Sequence, residues 1–240
     1  MTYPRIVGHR GAAALAPENT LAGFRKAAEA GAEMVELDAK LSADGIVICH
    51  HDNVLGRTST GEGPVAEQSF AALRALDAGS WFGPDFAGER IPTLAEALEL
   101  IASLGMGVNV EIKPCPGRER ETAAATVKIV RDHWKSAAPF QFSSFKPAAL
   151  EVALAEAPDL PRGYLTDDFR EGWLEDAARL KSVSVNGNFR RYTKERIDAV
   201  HAAGMKALAY TVNEPADAAR LLTDGMDILV TDCPDKLLKL

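Results

Sequence analysis

Short apolar runs alternate with longer amphipathic, alanine-rich segments along almost the whole chain. Short runs rich in β-branched residues are typical of strands, whereas apolar residues spaced three or four positions apart are typical of helices. Eight segments have the strand pattern: Arg5–Gly8, Met34–Leu41, Val108–Ile112, Phe140–Phe142, Arg162–Leu165, Ser182–Val185, Ala207–Thr211 and Ile228–Thr231. Helical patterns separate most of them, so the sequence predicts a repeated strand–helix unit.

Capping signals support this alternation. Asn19 or Thr20 can cap a helix that begins at Leu21, and Thr93 and Glu96 have the spacing of a capping box. Four glycines stand where a helix would end and a strand would begin: Gly31, Gly105, Gly204 and Gly225. Eight such units predict an α/β fold, a (β/α)8 TIM barrel. A doubly wound open sheet is the alternative, but it usually has fewer strands, and no Gly-x-Gly-x-x-Gly motif follows the first strand.

One interval is longer than the others. A turn signal at Ser42-Ala43-Asp44-Gly45 precedes Ile46–Cys49, which has the pattern of a second hairpin strand. The following residues, to Pro92, are rich in glycine, serine, threonine and aromatic residues. We therefore expect one domain over residues 1–240 with an insertion at about 42–92 that forms a small cap beside the barrel mouth.

Composition narrows the class of protein. Hydrophobic residues make up 47% of the 240 positions, and 27 basic against 34 acidic residues give a net charge of −7. This balance argues against nucleic-acid or anionic-membrane binding but permits an anionic substrate in a locally basic pocket. The three cysteines lack zinc or redox spacing, and no signal peptide or membrane span is recognisable. We expect a cytoplasmic protein.

Acidic residues occur inside two of the predicted strands. Glu36 and Asp38 share one strand face and point into the barrel, because the apolar residues between them face the helices, and Glu111 lies in the next strand. Buried carboxylates need a cation or a paired charge. Three of them suit a hard divalent ion, Mg²⁺ or Ca²⁺. The alternative is a metal-free salt-bridge network with Arg10 and Lys113.

Two histidines stand beside charged residues at strand ends. His9 follows the first strand and His51 follows the hairpin strand, where they could give and take protons near neutral pH. Both could instead be hydrogen-bonded core histidines. We expect His50 to point away from His51, and His133 and His201 to lie on helix surfaces. With cationic side chains nearby, the residues alone indicate a metal-assisted phosphoester hydrolase.

Ordered motifs along the chain resemble the signature of the glycerophosphodiester phosphodiesterase family. They are His9-Arg10-Gly11, Pro17-Glu18-Asn19-Thr20, Glu36-Leu37-Asp38, Asp44-Gly45, His51-Asp52, Arg57-Thr58, Gly61-x-Gly63, Ile91-Pro92-Thr93-Leu94, Glu111-Ile112-Lys113-Pro114 and Thr231-Asp232-x-Pro234-Asp235. Each motif is weak by itself, but together they span nearly the whole chain and are specific.

This resemblance implies a (β/α)8 barrel with an insertion after the second strand. It also implies metal-dependent cleavage of small glycerophosphodiesters to an alcohol and sn-glycerol 3-phosphate, and related phospholipases suggest a cyclic phosphate intermediate. The residues carried over are Glu36, Asp38 and Glu111 for a divalent cation, Mg²⁺ or Ca²⁺, His9 and His51 as general acid and base, and Arg10 and Lys113 for the phosphate.

Two positions depart from the family's usual pattern, Tyr210 where tryptophan is common and Cys233 where a basic residue is frequent. Both departures put the preferred leaving group in doubt more than the chemistry. Phe145, Tyr164 and Phe189, also near strand ends, are candidate walls for the substrate, although each could simply belong to the core.

Three alternatives remain at this stage. A lysophospholipase D-like activity would use the same site and would need an apolar groove for the acyl chain, to which Trp81-Phe82-Gly83-Pro84 could contribute. A metal-dependent barrel lyase or aldolase would use the carboxylates but would not need both His9 and His51. A non-catalytic binder of glycerophosphodiesters would gain little from an acid–base pair.

Overall fold

Eight parallel strands close into a barrel in the computed structural model, which describes residues 2–240. The strands are β1 (Ile6–Gly8), β2 (Met34–Leu41), β3 (Val47–Cys49), β4 (Gly107–Ile112), β5 (Phe140–Ser144), β6 (Arg162–Thr166), β7 (Ser184–Asn188), β8 (Lys206–Tyr210) and β9 (Ile228–Thr231). The closed order is β1-β2-β4-β5-β6-β7-β8-β9, in which β1 pairs with both β2 and β9. β3 stands outside the barrel and pairs antiparallel with β2.

A helix follows each barrel strand and covers the outer face of the sheet. The helices are α1 (Leu21–Glu29), α2 (Phe70–Ala75), α3 (Leu94–Ser103), α4 (Glu119–His133), α5 (Pro147–Glu156), α6 (Trp173–Arg179), α7 (Lys194–Ala202), α8 (Pro215–Thr223) and α9 (Pro234–Leu237). All except α2 belong to strand–helix units. The predicted (β/α)8 barrel is confirmed.

Local signals set most of the boundaries. Thr20 accepts a hydrogen bond from the Gly23 amide and caps α1. Thr93 and Glu96 form the predicted capping box at α3. The largest difference is β7, which runs to Asn188 rather than ending at Val185, because its later inward positions are polar and lack the apolar strand pattern.

The predicted hairpin and insertion are present between β2 and α3. α2 and two short 3₁₀ turns, Val65–Glu67 and Pro84–Phe86, surround a small apolar core of their own. Ile48 of β3 belongs to this core and joins the insertion to the hairpin. Trp81 is 40% exposed and stands at the barrel mouth beside His9.

The main apolar core lies between the strands and the helices, where alternate strand residues such as Val35 and Leu229 are fully buried. Inside the barrel, a smaller apolar cluster fills one side of the lower interior: Val7, Met34, Leu208, Ile228 and Val230. All three cysteines are buried, and each has a free thiol. Within residues 2–240, no helix has the length and apolar character that crossing a membrane requires.

Candidate active site

Three buried carboxylates meet at the carboxyl ends of β2 and β4. Asp38 is in register with Glu111, and Glu36 lies two residues before Asp38 on the same inward face. Oxygen atoms of the three side chains lie within 4.8 Å of one another, and none of the residues is more than 7% exposed. The sequence prediction that Glu36, Asp38 and Glu111 converge is confirmed.

Crowding makes it costly to ionise all three groups. Burial, together with the Asp38 and Glu111 charges, raises the pKa of Glu36 well above its usual range. Burial and the Asp38 charge raise the pKa of Glu111 to about 7. Burial also opposes ionisation of Asp38, but the charges of Arg10 and Lys113 outweigh it and hold the Asp38 pKa below its usual value.

The salt-bridge network considered as an alternative is therefore present but incomplete. Arg10 Nε lies 3.3 Å from Asp38 Oδ2, and Lys113 Nζ lies 2.7 Å from Glu111 Oε1 and 3.7 Å from Asp38 Oδ1. Glu36 accepts a hydrogen bond from the Arg10 backbone amide at 2.9 Å and has no lysine or arginine side chain within 4 Å among residues 2–240. This excess of buried negative charge, on oxygen donors alone, fits a hard divalent cation.

His9 is held by an aspartate from the other end of the chain. Its Nδ1 lies 2.6 Å from Asp232 Oδ1, while its Nε2 is 3.9 Å from Glu36 Oε2 and faces the carboxylates. Asn213 Nδ2 donates to Asp232 Oδ2 at 2.7 Å, so a neutral amide orients this carboxylate. An aspartate at Nδ1 keeps the proton there in the neutral ring and leaves Nε2 free to accept one.

His51 has a similar partner with a different environment. Its Nδ1 lies 2.6 Å from Asp52 Oδ1, and Asp52 Oδ2 accepts a 2.5 Å hydrogen bond from Arg57 Nε. Arg57 also makes two hydrogen bonds to Glu18, at 2.8 and 2.7 Å, and Glu18 accepts another from Arg10 at 2.7 Å. Burial and the charges of Arg10 and Lys113 lower the pKa of His51.

Buried polar groups hold the strand ends in place. The Asn19 side chain donates to Asp38 Oδ2 at 2.8 Å and accepts from the Asp38 amide at 3.0 Å. Lys40 is fully buried, and its Nζ donates to Asn53 Oδ1 and to the Lys113 carbonyl. At Gly8, a Cβ would lie 2.1 Å from the Gly11 carbonyl oxygen, so the turn that carries His9 requires glycine there.

A cavity of about 380 Å³ opens between the histidines and reaches into the barrel. Phe145 and Tyr210 form part of its wall, with ring centroids 5.9 Å apart. Of the three predicted walls, Phe145 is in place. Tyr164 is not, because strand alternation turns it into the outer core, and Phe189 packs at the edge of the same outer cluster.

The remaining histidines lie away from this cavity. His50 is buried, and burial together with the Lys40 charge lowers its pKa to about 4. His133 lies near the end of α4 beside Glu99, and His201 is exposed on α7. The predicted placement of these three residues is confirmed.

The structure adds functional residues that the sequence does not single out. Asp232, Asp52, Glu18 and Arg57 lie in the family motifs, and Asn213 follows the strand that contains Tyr210, but their positions in the sequence indicate no role. The signal available for Asp52 was its position next to His51. No local signal joins Asp232 to His9, because 223 residues separate them.

Comparison with known proteins adds to this geometry. The profile of the glycerophosphoryl diester phosphodiesterase family matches residues 9–236. A glycerophosphodiester phosphodiesterase of Caldanaerobacter subterraneus is 34% identical over 242 residues, which cover 98% of this chain and 96% of the relative.

Solved structures are similar over the same extent. A phosphodiesterase of Oleispira antarctica, determined in complex with the product sn-glycerol-3-phosphate, is 40% identical with a TM-score of 0.96, covering 98% of this chain and 96% of that one. A glycerophosphodiester phosphodiesterase of Thermotoga maritima is 28% identical with a TM-score of 0.79, covering 100% and 99%.

Proposed function

The chain belongs to the glycerophosphoryl diester phosphodiesterase family and is a phosphoric diester hydrolase, and we propose that it hydrolyses glycerophosphodiesters to an alcohol and sn-glycerol 3-phosphate. The proposed reaction requires a divalent cation and two histidines. The product bound to the Oleispira antarctica relative supports this choice of substrate. The single observation that carries the proposal is the placement of two His–Asp pairs around one buried carboxylate cluster.

Glu36, Asp38 and Glu111 would hold the cation, Mg²⁺ or Ca²⁺. When bound, such an ion supplies positive charge that offsets the carboxylates and the phosphate and favours attack on phosphorus. Arg10 and Lys113 stand on the same rim and would bind the phosphate oxygens.

His9 and His51 would move the protons. Each ring is fixed through Nδ1 by its aspartate, and each leaves Nε2 available toward the cavity. One histidine would take the proton from the attacking hydroxyl, and the other would give a proton to the departing alcohol. The attacking group would be either water or the substrate's own glycerol hydroxyl.

The decisive assay measures release of glycerol 3-phosphate from glycerophosphocholine by protein treated with EDTA, before and after Mg²⁺ or Ca²⁺ is restored. We expect release to stop with EDTA and to return with one of the cations. Turnover that persists unchanged without a cation would refute the metal requirement.

A matched pair of variants tests the ligand set. Glu36→Ala should abolish both turnover and the response to added cation, whereas Glu99→Ala, an exposed glutamate on α3, should behave like the unaltered protein. A folded Glu36→Ala protein that still responds normally to cation would remove Glu36 from the site. Release of choline from lysophosphatidylcholine but not from glycerophosphocholine would favour the lysophospholipase D alternative.

A further inference from the structure

The barrel interior beneath the carboxylates is divided into an apolar and a polar side. Leu208 and Val230 of β8 and β9 line the cavity on one side. On the other side, Asn109 of β4 and Asn186 of β7 reach the same cavity and are 3% and 0% exposed. Polar side chains inside a barrel cost free energy unless they find partners, so this side needs an explanation.

These two asparagines keep unused hydrogen-bonding atoms. Asn109 Oδ1 and Asn186 Nδ2 are buried and have no hydrogen-bond partner among residues 2–240. The other end of the Asn186 amide is occupied, because Ser184 Oγ lies 2.7 Å from Asn186 Oδ1. An acceptor of Asn109 and a donor of Asn186 are thus left unpaired in two residues that line the cavity.

The chain makes room for this arrangement. At Gly163 of β6, a Cβ would lie 2.8 Å from Asn186 Nδ2 and 2.7 Å from Ser184 Oγ, so any other residue would displace the amide. Asn109 is in register with Glu36 and lies two residues before Glu111 on β4. A two-residue step along a strand is about 6.6 Å, so Asn109 lies about that far below Glu111, at the level of the deepest carboxylate, Glu36.

We infer that Asn109 and Asn186 form a specificity subsite for a free hydroxyl of the substrate, the terminal hydroxyl of its glycerol group. A hydroxyl both donates and accepts, which matches one free acceptor and one free donor. This inference rests on the proposed function and deepens it, because it selects deacylated glycerophosphodiesters. An acyl chain in that position would leave both amide atoms unpaired, and a site built to bind a hydroxyl strongly rejects analogues that lack it.

The test compares choline release from sn-glycero-3-phosphocholine and from its propane-1,2-diol analogue, which lacks only the terminal hydroxyl. We expect the unaltered protein to show a kcat/KM at least about 10²-fold lower for the analogue, because two buried amide atoms would lose their partner. Asn109→Leu and Asn186→Leu should lower kcat/KM for the natural diester but change it little for the analogue, so the ratio between the two substrates should fall toward one.

Leu165→Val is the matched control, because Leu165 lines the same cavity and the change removes volume without touching a hydrogen bond. Its substrate ratio should stay as in the unaltered protein. Circular dichroism and the restoration of activity by cation establish that each variant is folded and loaded.

The outcomes separate this inference from the proposed function. Equal kcat/KM for the two compounds in the unaltered protein would overturn the subsite, and the two unpaired amide atoms would then bind water instead of substrate. A ratio that is unchanged in both asparagine variants would overturn it as well. No release from either compound with any cation would instead overturn the proposed function, and the subsite with it.

Discussion

The two histidine–aspartate pairs have the same distance between partners and different surroundings. His9 is on a barrel strand end and faces Asp232, which a neutral amide, Asn213, supports from behind. His51 is on the hairpin and faces Asp52, whose charge Arg57 already offsets. The two pairs therefore differ in the group that supports the aspartate, a neutral amide behind Asp232 and a guanidinium behind Asp52.

The largest effect should come from removing each ring. We expect His9→Ala and His51→Ala each to lower turnover of glycerophosphocholine by about 10²–10⁴-fold. The two variants should then differ on a diester with a p-nitrophenyl leaving group, because nitrophenolate departs without a proton. Only the variant that lacks the general acid should recover, and the rates of the four combinations assign the roles.

Two outcomes would contradict this division of roles between His9 and His51. Recovery of both variants, or of neither, would mean that the two rings do not divide proton donation and acceptance between them. His133→Ala provides the control, since this histidine lies on α4 away from the cavity.

A smaller effect is expected from the aspartates. Asp232→Asn should reduce kcat by about 10–10²-fold, because His9 loses its one anionic partner at Nδ1 and its fixed orientation. Asp52→Asn should cost less, because Arg57 already cancels much of the Asp52 charge at His51. Steady-state kinetics of both variants measure the difference in kcat. A larger loss in Asp52→Asn than in Asp232→Asn would contradict the expectation that Arg57 weakens the effect of Asp52 on His51.

Removal of Arg57 should make the two pairs more alike. Burial opposes ionisation of Asp52, but the hydrogen bonds from Arg57 and His51 lower its pKa to about 2. In Arg57→Gln, the Asp52 charge is no longer offset, so it stabilises the His51 imidazolium and raises the His51 pKa. The limb of the pH–rate profile that belongs to His51 should move to higher pH, with only a few-fold change in the maximum.

Arg74→Gln is the matched control for that profile, since Arg74 makes a comparable two-bond ion pair with Glu96 on the far side of the insertion. A profile that is unmoved in Arg57→Gln would mean that Arg57 serves only to hold the insertion against Glu18.

The smallest effect concerns the carboxylates that both pairs share. The pKa of Glu111 in the fold is about 7, above its ordinary 4.5, so the protonated form favours folding. Its stabilising contribution is complete below about pH 4.5 and is lost as the pH rises through about 7. In EDTA, the Tm of the unaltered protein should fall over that window by a few degrees more than the Tm of Glu111→Gln.

Saturating Mg²⁺ or Ca²⁺ should restore the Tm most strongly at the upper end of the same window, because the cation competes with the proton for the carboxylates. Equal pH dependence in Glu111→Gln and the unaltered protein would contradict the raised pKa of Glu111.

The fold was largely predictable because strand and helix signals are local. Capping boxes, helix-ending glycines and apolar runs lie within a few residues of the boundaries that they set, as at Thr20 and Thr93. The exception, β7, shows the limit: Asn186 and Asn188 point inward in a strand whose interior face is polar, and apolar patterning cannot detect such a face.

The candidate site was predictable where strand alternation alone aims a side chain, as for Glu36, Asp38 and Glu111. It was not predictable where the contact depends on barrel closure or on loop conformation. Asp232 reaches His9 only because β9 pairs with β1, and Arg57 reaches Glu18 only through the path of the insertion. Periodicity carries no information about either contact.

The pairing of the first strand with the last has a consequence for the life of the chain during synthesis. β1 emerges early, but its partner β9 and the Asp232 that orients His9 come from the final part of the sequence. A nascent chain that has made β1 to β8 holds the three carboxylates and His51 but has an unoriented His9. Addition of β9 therefore closes the barrel and orients His9 in the same event, so the histidine–aspartate pair belongs to the closed barrel and to no smaller set of strands.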